Sequence, residues 1–406
     1  MDFSDSPEEA AYREKVRAWL ESNAPKAGQK QDVGELNASD LPAAREWQAK
    51  KAAAGYAQIT WPKEWGGPGG TPIQQVIFNE EAEKYPVPPD PFVIGLGMCL
   101  PTVMAFGDEA AKARFVGPAL RGEEIWCQLF SEPSGGSDAA AARTRAVRHG
   151  DDWVVNGQKI WTSGAHLADY GILLTRTDVD VPKHKGMTMF WVDMKSPGIE
   201  VRSIHQMSGA SGFNEVFFTD LRLKDSQRLG PVGDGWKVAI VTLMNERLSI
   251  GGLSGLDYNA FLRLAREVDL GGEPAIRNHA VREKIADWYV QTEGIKHTRM
   301  RTLTALSRGE TPGPESSIAK VIRAAQSQEL AREAVELLDQ FGVIADPSVA
   351  PLAGGFQAQL LASPGSRIAG GTDEILRNII AERVLGLPGD VRVDKDVPFK
   401  DIPVGR

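Results

Sequence analysis

Cysteine is almost missing from this chain of 406 residues: Cys99 and Cys127 stand alone, in separate segments and without metal-ligand spacing. That excludes a disulfide framework and a zinc site; no metal is expected, and a cytoplasmic, reducing compartment is. Runs of Lys or Arg are missing too, with a formal net charge of −8 spread along the sequence. Nucleic acid is therefore excluded as a partner. No segment reaches 18 uninterrupted apolar residues, and the start, MDFSDSPEEAAYREKVRAWL, lacks the basic head and apolar run of a secretory signal. A soluble, unprocessed chain with no membrane partner is the expectation. Internal repeats and low-complexity tracts are lacking as well. What is present is 42% hydrophobic residues over 406 positions, enough to bury more than one core and to divide into two or three domains.

Three stretches differ in pattern. Residues 1–120 read as helical, opening on Ser6-Pro7-Glu8-Glu9, where Ser6 caps and Pro7 takes the first helical position. Phe3, Ala10, Val16, Trp19 and Leu20 supply the apolar side of that helix. The segment ITWPKEWGGPGG is too rich in Pro and Gly for a helix or long strand and is expected as an ordered loop. From 121 to 232 the pattern turns to strands: WVVNGQKIW predicts a hairpin at Asn156-Gly157, and YGILLTRT, GMTMFWVDM, IEVRSIHQM and FNEVFFTDLRL come after it at short intervals. Without crossover helices between them, these runs predict an antiparallel β domain. From 233 to 406 helical patterns near 236–266, 276–308, 316–341 and 372–386 predict a four-helix bundle, with a Pro-rich tail after Leu387 as a surface arm against another subunit.

The segment CQLFSEPSGGSDAAAARTRA, with GQKIWTSGAHLADY after it, resembles the acyl-CoA dehydrogenases. The resemblance extends over nearly the whole chain, through WPKEWGG, FGDEAAKARFVGPALRGE, FNEVFFTDLRL and GGTDEILRNIIAERVLG. It implies an α+β fold: an N-terminal helical domain, a middle antiparallel β domain and a C-terminal four-helix bundle. It also implies bound FAD, an acyl-CoA substrate dehydrogenated to the trans-2-enoyl-CoA in fatty acid or lipid catabolism, an electron-transfer flavoprotein as acceptor, and a homodimer or homotetramer. In that chemistry a carboxylate takes the α proton while the β hydrogen leaves as hydride, so base and flavin flank the substrate.

By this resemblance Gln128, Phe130 and Ser131 are flavin contacts, and Gly136 and Ser137 belong to a turn near the flavin pyrophosphate. Gly135 and Gly136 are expected to allow positive φ there, and Asp138 to bond backbone amides within the turn. Trp161 and Ser163 are matched to the flavin wall, on one face if the strand alternates. Gly371, Thr372 and Glu374 open the last helix; Thr372 reads as its cap, and the resemblance adds cofactor contact for all three. Arg266 is matched to the family's arginine, although Asp269-Leu270-Gly271-Gly272 stands where Phe-Gly normally comes next. Gln340, with Gly342, is matched to a turn from which DQFGVIADPS departs.

The commonest position for the base, just before Gly-Thr of the last motif, holds Gly370, whose backbone N–H is implied to bond the thioester oxygen. Isovaleryl- and long-chain-type members carry the base earlier, before an arginine, and Glu246-Arg247 stands there in VTLMNERLSIGG. Glu246 is thus the expected catalytic base, with Arg247 and Gly370 at the substrate. On a helix it shares a face with Thr242, Leu243, Ser249 and Ile250. Two alternatives remain open: an oxidase or flavin hydroxylase of the same superfamily, and a catalytically silent subunit of a mixed oligomer.

Overall fold

The computed structural model describes residues 5–25, 37–249, 255–307, 313–391 and 393–403. The chain divides into two compact units: the first runs to Gln206, resumes over Ala210–Ser249 and ends with the segment from Val391 on, and the second holds Met207–Gly209 and the stretch up to Asp390.

In the first unit α1 (Pro7–Asn23) starts at a capping box in which Ser6 and Glu9 bond each other's backbone, with Pro7 just inside. Val16 and Leu20 are buried, while Ala10 is exposed and Tyr12 takes a half-buried place instead; Phe3 lies outside the described residues. α2 (Leu41–Ala53) and α3 (Pro72–Ala82) complete the first cluster. Buried Glu81 of α3 binds Arg13 and Arg17 of α1 at 3.0 and 2.8 Å. The Pro- and Gly-rich stretch between these helices is an ordered loop, its Gly69 and Gly70 amides donating to the Trp61 and Ile59 carbonyls. A π-helical turn, Gly95–Cys99, leads into α4 (Leu100–Phe106), and α5 (Glu109–Leu120) comes next.

The strands are β1 (Trp126–Leu129), β2 (Arg145–His149), β3 (Asp152–Ser163), β4 (Tyr170–Arg176), β5 (Met187–Asp193), β6 (Ile199–Ser203), β7 (Phe213–Lys224) and β8 (Arg228–Leu229). They form one sheet in the order β6-β7-β3-β2-β4-β5-β8, with β1 beside β4. Most ladders are antiparallel, as the pattern predicts, but β1 runs parallel to β4 and β2 meets β4 in parallel at Arg145–Arg176. The return from β1 to β4 needs no helix, because a long loop and the β2–β3 hairpin make the crossover. Phe115 of α5 stands edge-on to Trp126, with ring centroids 5.0 Å apart, so helix and sheet share one core.

Asn156-Gly157 does not turn the chain. β3 passes straight through it, and the hairpin bend lies at Gly150-Asp151, between His149 and Asp152. The pair instead marks a bulge, where the register against β7 shifts between Val155 and Gly157. The same glycine freedom serves either use, so the dipeptide alone does not choose. Gly157 has φ 151°, and a Cβ there would lie 2.7 Å from the Thr144 Cα.

α6 (Gly235–Ser249) closes this unit against β5, α4 and the π turn, and Thr242 on it bonds Thr102 of α4 at 2.8 Å in the buried interior. The end of the tail, expected against another subunit, packs on its own chain, with Phe399 buried and its amide bonded to the Val181 carbonyl.

The second unit contains α7 (Tyr258–Glu267), α8 (His279–Ser307), α9 (Ser316–Leu337), α10 (Gly355–Ile368) and α11 (Asp373–Ile379), which runs into a π-helical turn over Ile380–Val384. The pattern near 236–266 is thus two helices, α6 and α7, the latter capped by Asp257 in extended backbone. α10 is absent from the sequence-based expectation, since Gly354, Gly355, Pro364 and Gly365 obscure its periodicity. Its buried Phe356 joins Phe261, Leu264, Trp288 and Leu330 in one core.

Gly157→Ala is expected to cost about 3 kcal/mol, through backbone strain and overpacking against Thr144. Urea unfolding measures it; a loss below about 1 kcal/mol would fit an open turn instead of a bulge.

Candidate active site

β1 delivers the signature. Beyond Leu129 the chain leaves the sheet with Phe130 buried and Ser131 half-buried, and the Ser131 carbonyl accepts from the Ile160 amide of β3 at 2.9 Å. Glu132 comes next, and it is the residue that sequence reasoning missed. Its carboxylate, 5% exposed, takes the fully buried Lys159 ammonium at 2.8 Å. It also accepts from the Arg143 and Thr144 amides at 2.6 and 2.8 Å, while Lys159 gives a further bond to the Phe130 carbonyl at 3.0 Å. The turn Pro133–Ala142 is therefore closed at its base by one carboxylate. Burial on its own would raise Glu132; the Lys159 charge, its hydrogen bond and the two amides win and hold it below the ordinary carboxylate range. The signal was in the sequence as an invitation only: a Glu beside a Gly-rich turn and a Lys in a strand, far apart in the chain.

Within that turn Gly136 and Ser137 are exposed, and a Cβ on Gly136 would sit 3.8 Å from the Ser131 Oγ. Neither Gly135 nor Gly136 has positive φ, and a Cβ on either would make only ordinary contact, so neither left-handed backbone nor close packing within this chain requires glycine here. Among the described residues no amide donates to the Asp138 side chain; its carboxylate meets Lys183 at 2.7 Å, and Glu132 takes the Arg143 and Thr144 amides.

Trp161 and Ser163 end β3 beside this loop. Trp161 has φ 59° and is 55% exposed, at a second register shift of β3 between Lys159 and Thr162. Simple alternation is interrupted there, so the shared face predicted for Trp161 and Ser163 does not follow from the pleat. A tryptophan held both in left-handed backbone and in solvent is costly twice over, which is the mark of a residue kept for contact. Phe213 of β7 steadies it edge-on, centroids 6.0 Å apart. Next to Ser163 lies a cavity of about 310 Å³ whose lining includes Trp126, His166, Gln206 and Phe213.

Glu246 is brought to β1 by α6. Half-buried on α6, it lies 3.5 Å from the Gln128 amide nitrogen. Thr242, on the same helix face, is buried. The Arg247 and Ser249 side chains, and Ile250, lie outside the described residues. Cys99, at the end of the π turn, is fully buried near Glu246, and its thiol is pushed well above the usual value by burial, then by Cys127 and Glu246. Burial pushes Cys127 up to about 12. Both thiols thus stay neutral, furnishing Glu246 with an apolar, non-competing neighbour. Sequence reading found the base candidate but not this surround.

The remaining candidates belong to the second unit. Thr372 caps α11, its hydroxyl accepting from the Ile375 amide at 3.3 Å. Gly370 and Gly371 have φ 64° and 93°, and Lys320 fixes the turn by donating to the Gly371 carbonyl at 2.6 Å. Asp373 is buried and held by Arg367 at 2.7 Å, whereas Glu374 is exposed. Arg266 is exposed in the last turn of α7, and Gln340 is exposed in a 3₁₀ turn whose Gly342 is buried. A glutamate at 370 would have to adopt left-handed backbone, at about 1–2 kcal/mol.

The acyl-CoA dehydrogenase N-terminal, middle and C-terminal domain families match residues 6–123, 127–225 and 233–385. Acyl-CoA dehydrogenase IpdE1 of Mycobacterium tuberculosis is 35% identical over 400 residues, covering 94% of this chain and 98% of that protein. Acyl-CoA dehydrogenase FadE34 of the same organism is 36% identical over 343 residues, 84% of this chain; the match spans only 46% of FadE34. Among solved structures, the ChsE4-ChsE5 complex from Mycobacterium tuberculosis superposes with TM-score 0.77 at 28% identity, covering 96% of this chain and 100% of that one. The chain described as the Tcur3481-Tcur3483 steroid ACAD gives 0.78 at 28%, with the same coverage. This chain belongs to the acyl-CoA dehydrogenase family and, as such, is an FAD-dependent oxidoreductase. Among the described residues no helix is long and apolar enough to cross a membrane.

The residues present fit FAD. The exposed indole of Trp161 at a strand end offers a flat face, and the half-buried Gln128, Ser131 and Ser163 offer the polar groups that a flavin ring edge requires.

Lys159→Met leaves the Glu132 charge buried and unpaired, and is expected to cost about 3–5 kcal/mol at neutral pH. In the wild type, the stability that the lowered Glu132 contributes is fully present above its unfolded value, about 4.3, and is lost as pH falls through the folded one. In the variant, protonation relieves the charge, so its deficit should shrink below about pH 5. Urea titrations across pH decide; a pH-independent deficit would remove charge as the cause.

Proposed function

We propose that this chain dehydrogenates an acyl-CoA thioester at the α and β carbons, with Glu246 as the α-proton base. The observation that carries this reading is the Glu246 carboxylate lying 3.5 Å from Gln128, on the strand that continues into the Ser131 signature. A half-buried carboxylate with the buried, neutral Cys99 thiol near it suits a general base set into a largely apolar surround. When bound, FAD supplies the hydride acceptor. Gln128, Phe130, Ser131, Trp161 and Ser163 are assigned to the flavin ring, and Gly136 and Ser137 to its pyrophosphate side. By resemblance Arg266, Gln340, Gly371, Thr372 and Glu374 are assigned further cofactor contacts, Arg247 a substrate contact, and the Gly370 N–H the thioester oxygen, which gains charge as the proton leaves. An electron-transfer flavoprotein receives the electrons, and the site works in the cytoplasm. The neighbour described as a steroid ACAD supports a ring-bearing acyl group among branched, long and ring-bearing choices.

A homodimer or homotetramer is the simplest assembly. The second reading, pairing with a different homologous chain, is favoured by the ChsE4-ChsE5 complex, in which two distinct chains assemble. Expressed alone, the chain is expected to be yellow and to release FAD on denaturation. Folded protein that stays colourless with added FAD, and turns yellow only when co-purified with a homologue, would establish the mixed assembly instead.

Glu246→Gln retains shape and hydrogen bonding but not the basic oxygen. It should bind FAD and acyl-CoA while anaerobic bleaching of the flavin by substrate slows by about 10²–10⁴-fold. Bleaching near the wild-type rate would dismiss Glu246 as the base. Slow reoxidation of the substrate-reduced protein by air is the accompanying expectation; rapid reoxidation would point to an oxidase.

A further inference from the structure

We propose that the segment 393–403 positions the signature turn, Asp394 acting through Lys183 and Phe399 through Arg176; this rests on the reading that the turn carries the Gly136 and Ser137 cofactor contacts. Arg176 ends β4 almost wholly buried, 1% exposed. Its guanidinium donates to the Ala140, Ala142 and Lys183 carbonyls at 2.5, 3.2 and 2.5 Å. Among the described residues no carboxylate forms a salt bridge with it. What completes its surroundings is Phe399, whose ring centroid lies 3.9 Å from the guanidinium carbon, with Arg143 at 5.0 Å from the same ring. Phe399 is itself 4% exposed. A cation in carbonyls and under an aromatic face is strongly held only while water is kept out, and Phe399 is the residue that keeps it out.

The second hold is ionic. Lys183 bridges Asp138 of the turn at 2.7 Å and Asp394 of the tail at 2.6 Å. Backbone pairing fixes the tail in register: the Phe399 and Lys400 amides donate to the Val181 and Val179 carbonyls at 2.9 and 3.0 Å. The turn residues 138–142 are therefore gripped by two cations, and each cation is seated by a tail residue. Glu132 fixes the base of the turn; the tail fixes its far side. A loop braced at both ends presents its amides in one arrangement, as a phosphate cradle requires.

The test uses the full-length protein, stripped of FAD and titrated with it, together with limited trypsin cleavage after Arg143. Phe399→Ala is expected to weaken FAD binding about tenfold, the equivalent of one desolvated cation–π contact, and to open the Arg143 bond to trypsin. Phe399→Leu, which keeps the burial, should recover part of both. Asp394→Asn, which leaves Phe399 in place, should weaken FAD about threefold and decides the matter if Phe399→Ala does not fold. FAD affinity within about twofold of wild type in the folded variants, with trypsin resistance unchanged, overturns the proposal. Wild-type protein that takes up no FAD overturns the underlying reading instead, so the two failures are distinguishable.

Discussion

The buried pair of Glu132 and Lys159 is the interaction on which the rest of the site depends. It connects the end of β1 to the middle of β3 with 2.8 Å between the charges, and it spends the remaining carboxylate valence on two amides of the returning loop. Two ions in an interior are tolerable only when nearly every lone pair and proton is matched. That demand fixes the geometry, because any slip of β1 against β3 would leave a charge unsatisfied. The positions of Ser131 and Trp161, on either side of the pair, are set by it.

A second constraint is the arrangement around Glu246. The helix that carries it starts beside β5 and is locked to α4 by the Thr102–Thr242 bond. The π turn then sets Cys99 close to the carboxylate. A single extra residue in a turn rotates the helix beyond it, which is why π turns accumulate where one side chain must be aimed. Here it supplies a buried, neutral thiol as neighbour to the Glu246 carboxylate.

Gly370 illustrates how an absent side chain is read twice. In the sequence it is a vacancy at the family's usual base position; in the structure it is a left-handed residue with another directly after it, and Lys320 holds the carbonyl of that second glycine beside the cap. The glycine therefore serves the backbone, since its positive φ suits a residue without a Cβ.

Much was legible from sequence because it depends on local chemistry. Ser6 and Thr372 cap helices because a hydroxyl beside bare amides does so in any context, and the strand runs of the middle region appear where β-branched and aromatic residues gather. The family likeness, and with it FAD, rested on contiguous motifs. Pairing was not legible. Asn156-Gly157 reads as a hairpin turn until β7 lies alongside and shows it to be a bulge, and the left-handed backbone and exposure of Trp161, matched to the flavin wall, appear only in the fold. Asp138 reads as an amide binder until its carboxylate is found on Lys183. Phe399, an aromatic in a Pro-rich tail, gives no sign in sequence that the buried guanidinium of Arg176, far earlier in the chain, requires its face. What the sequence determined by itself was which elements form and which family they belong to; which charges share a cavity, and which residues brace the site, only the tertiary structure decided, since such partners are matched through space by desolvation and not by spacing along the chain.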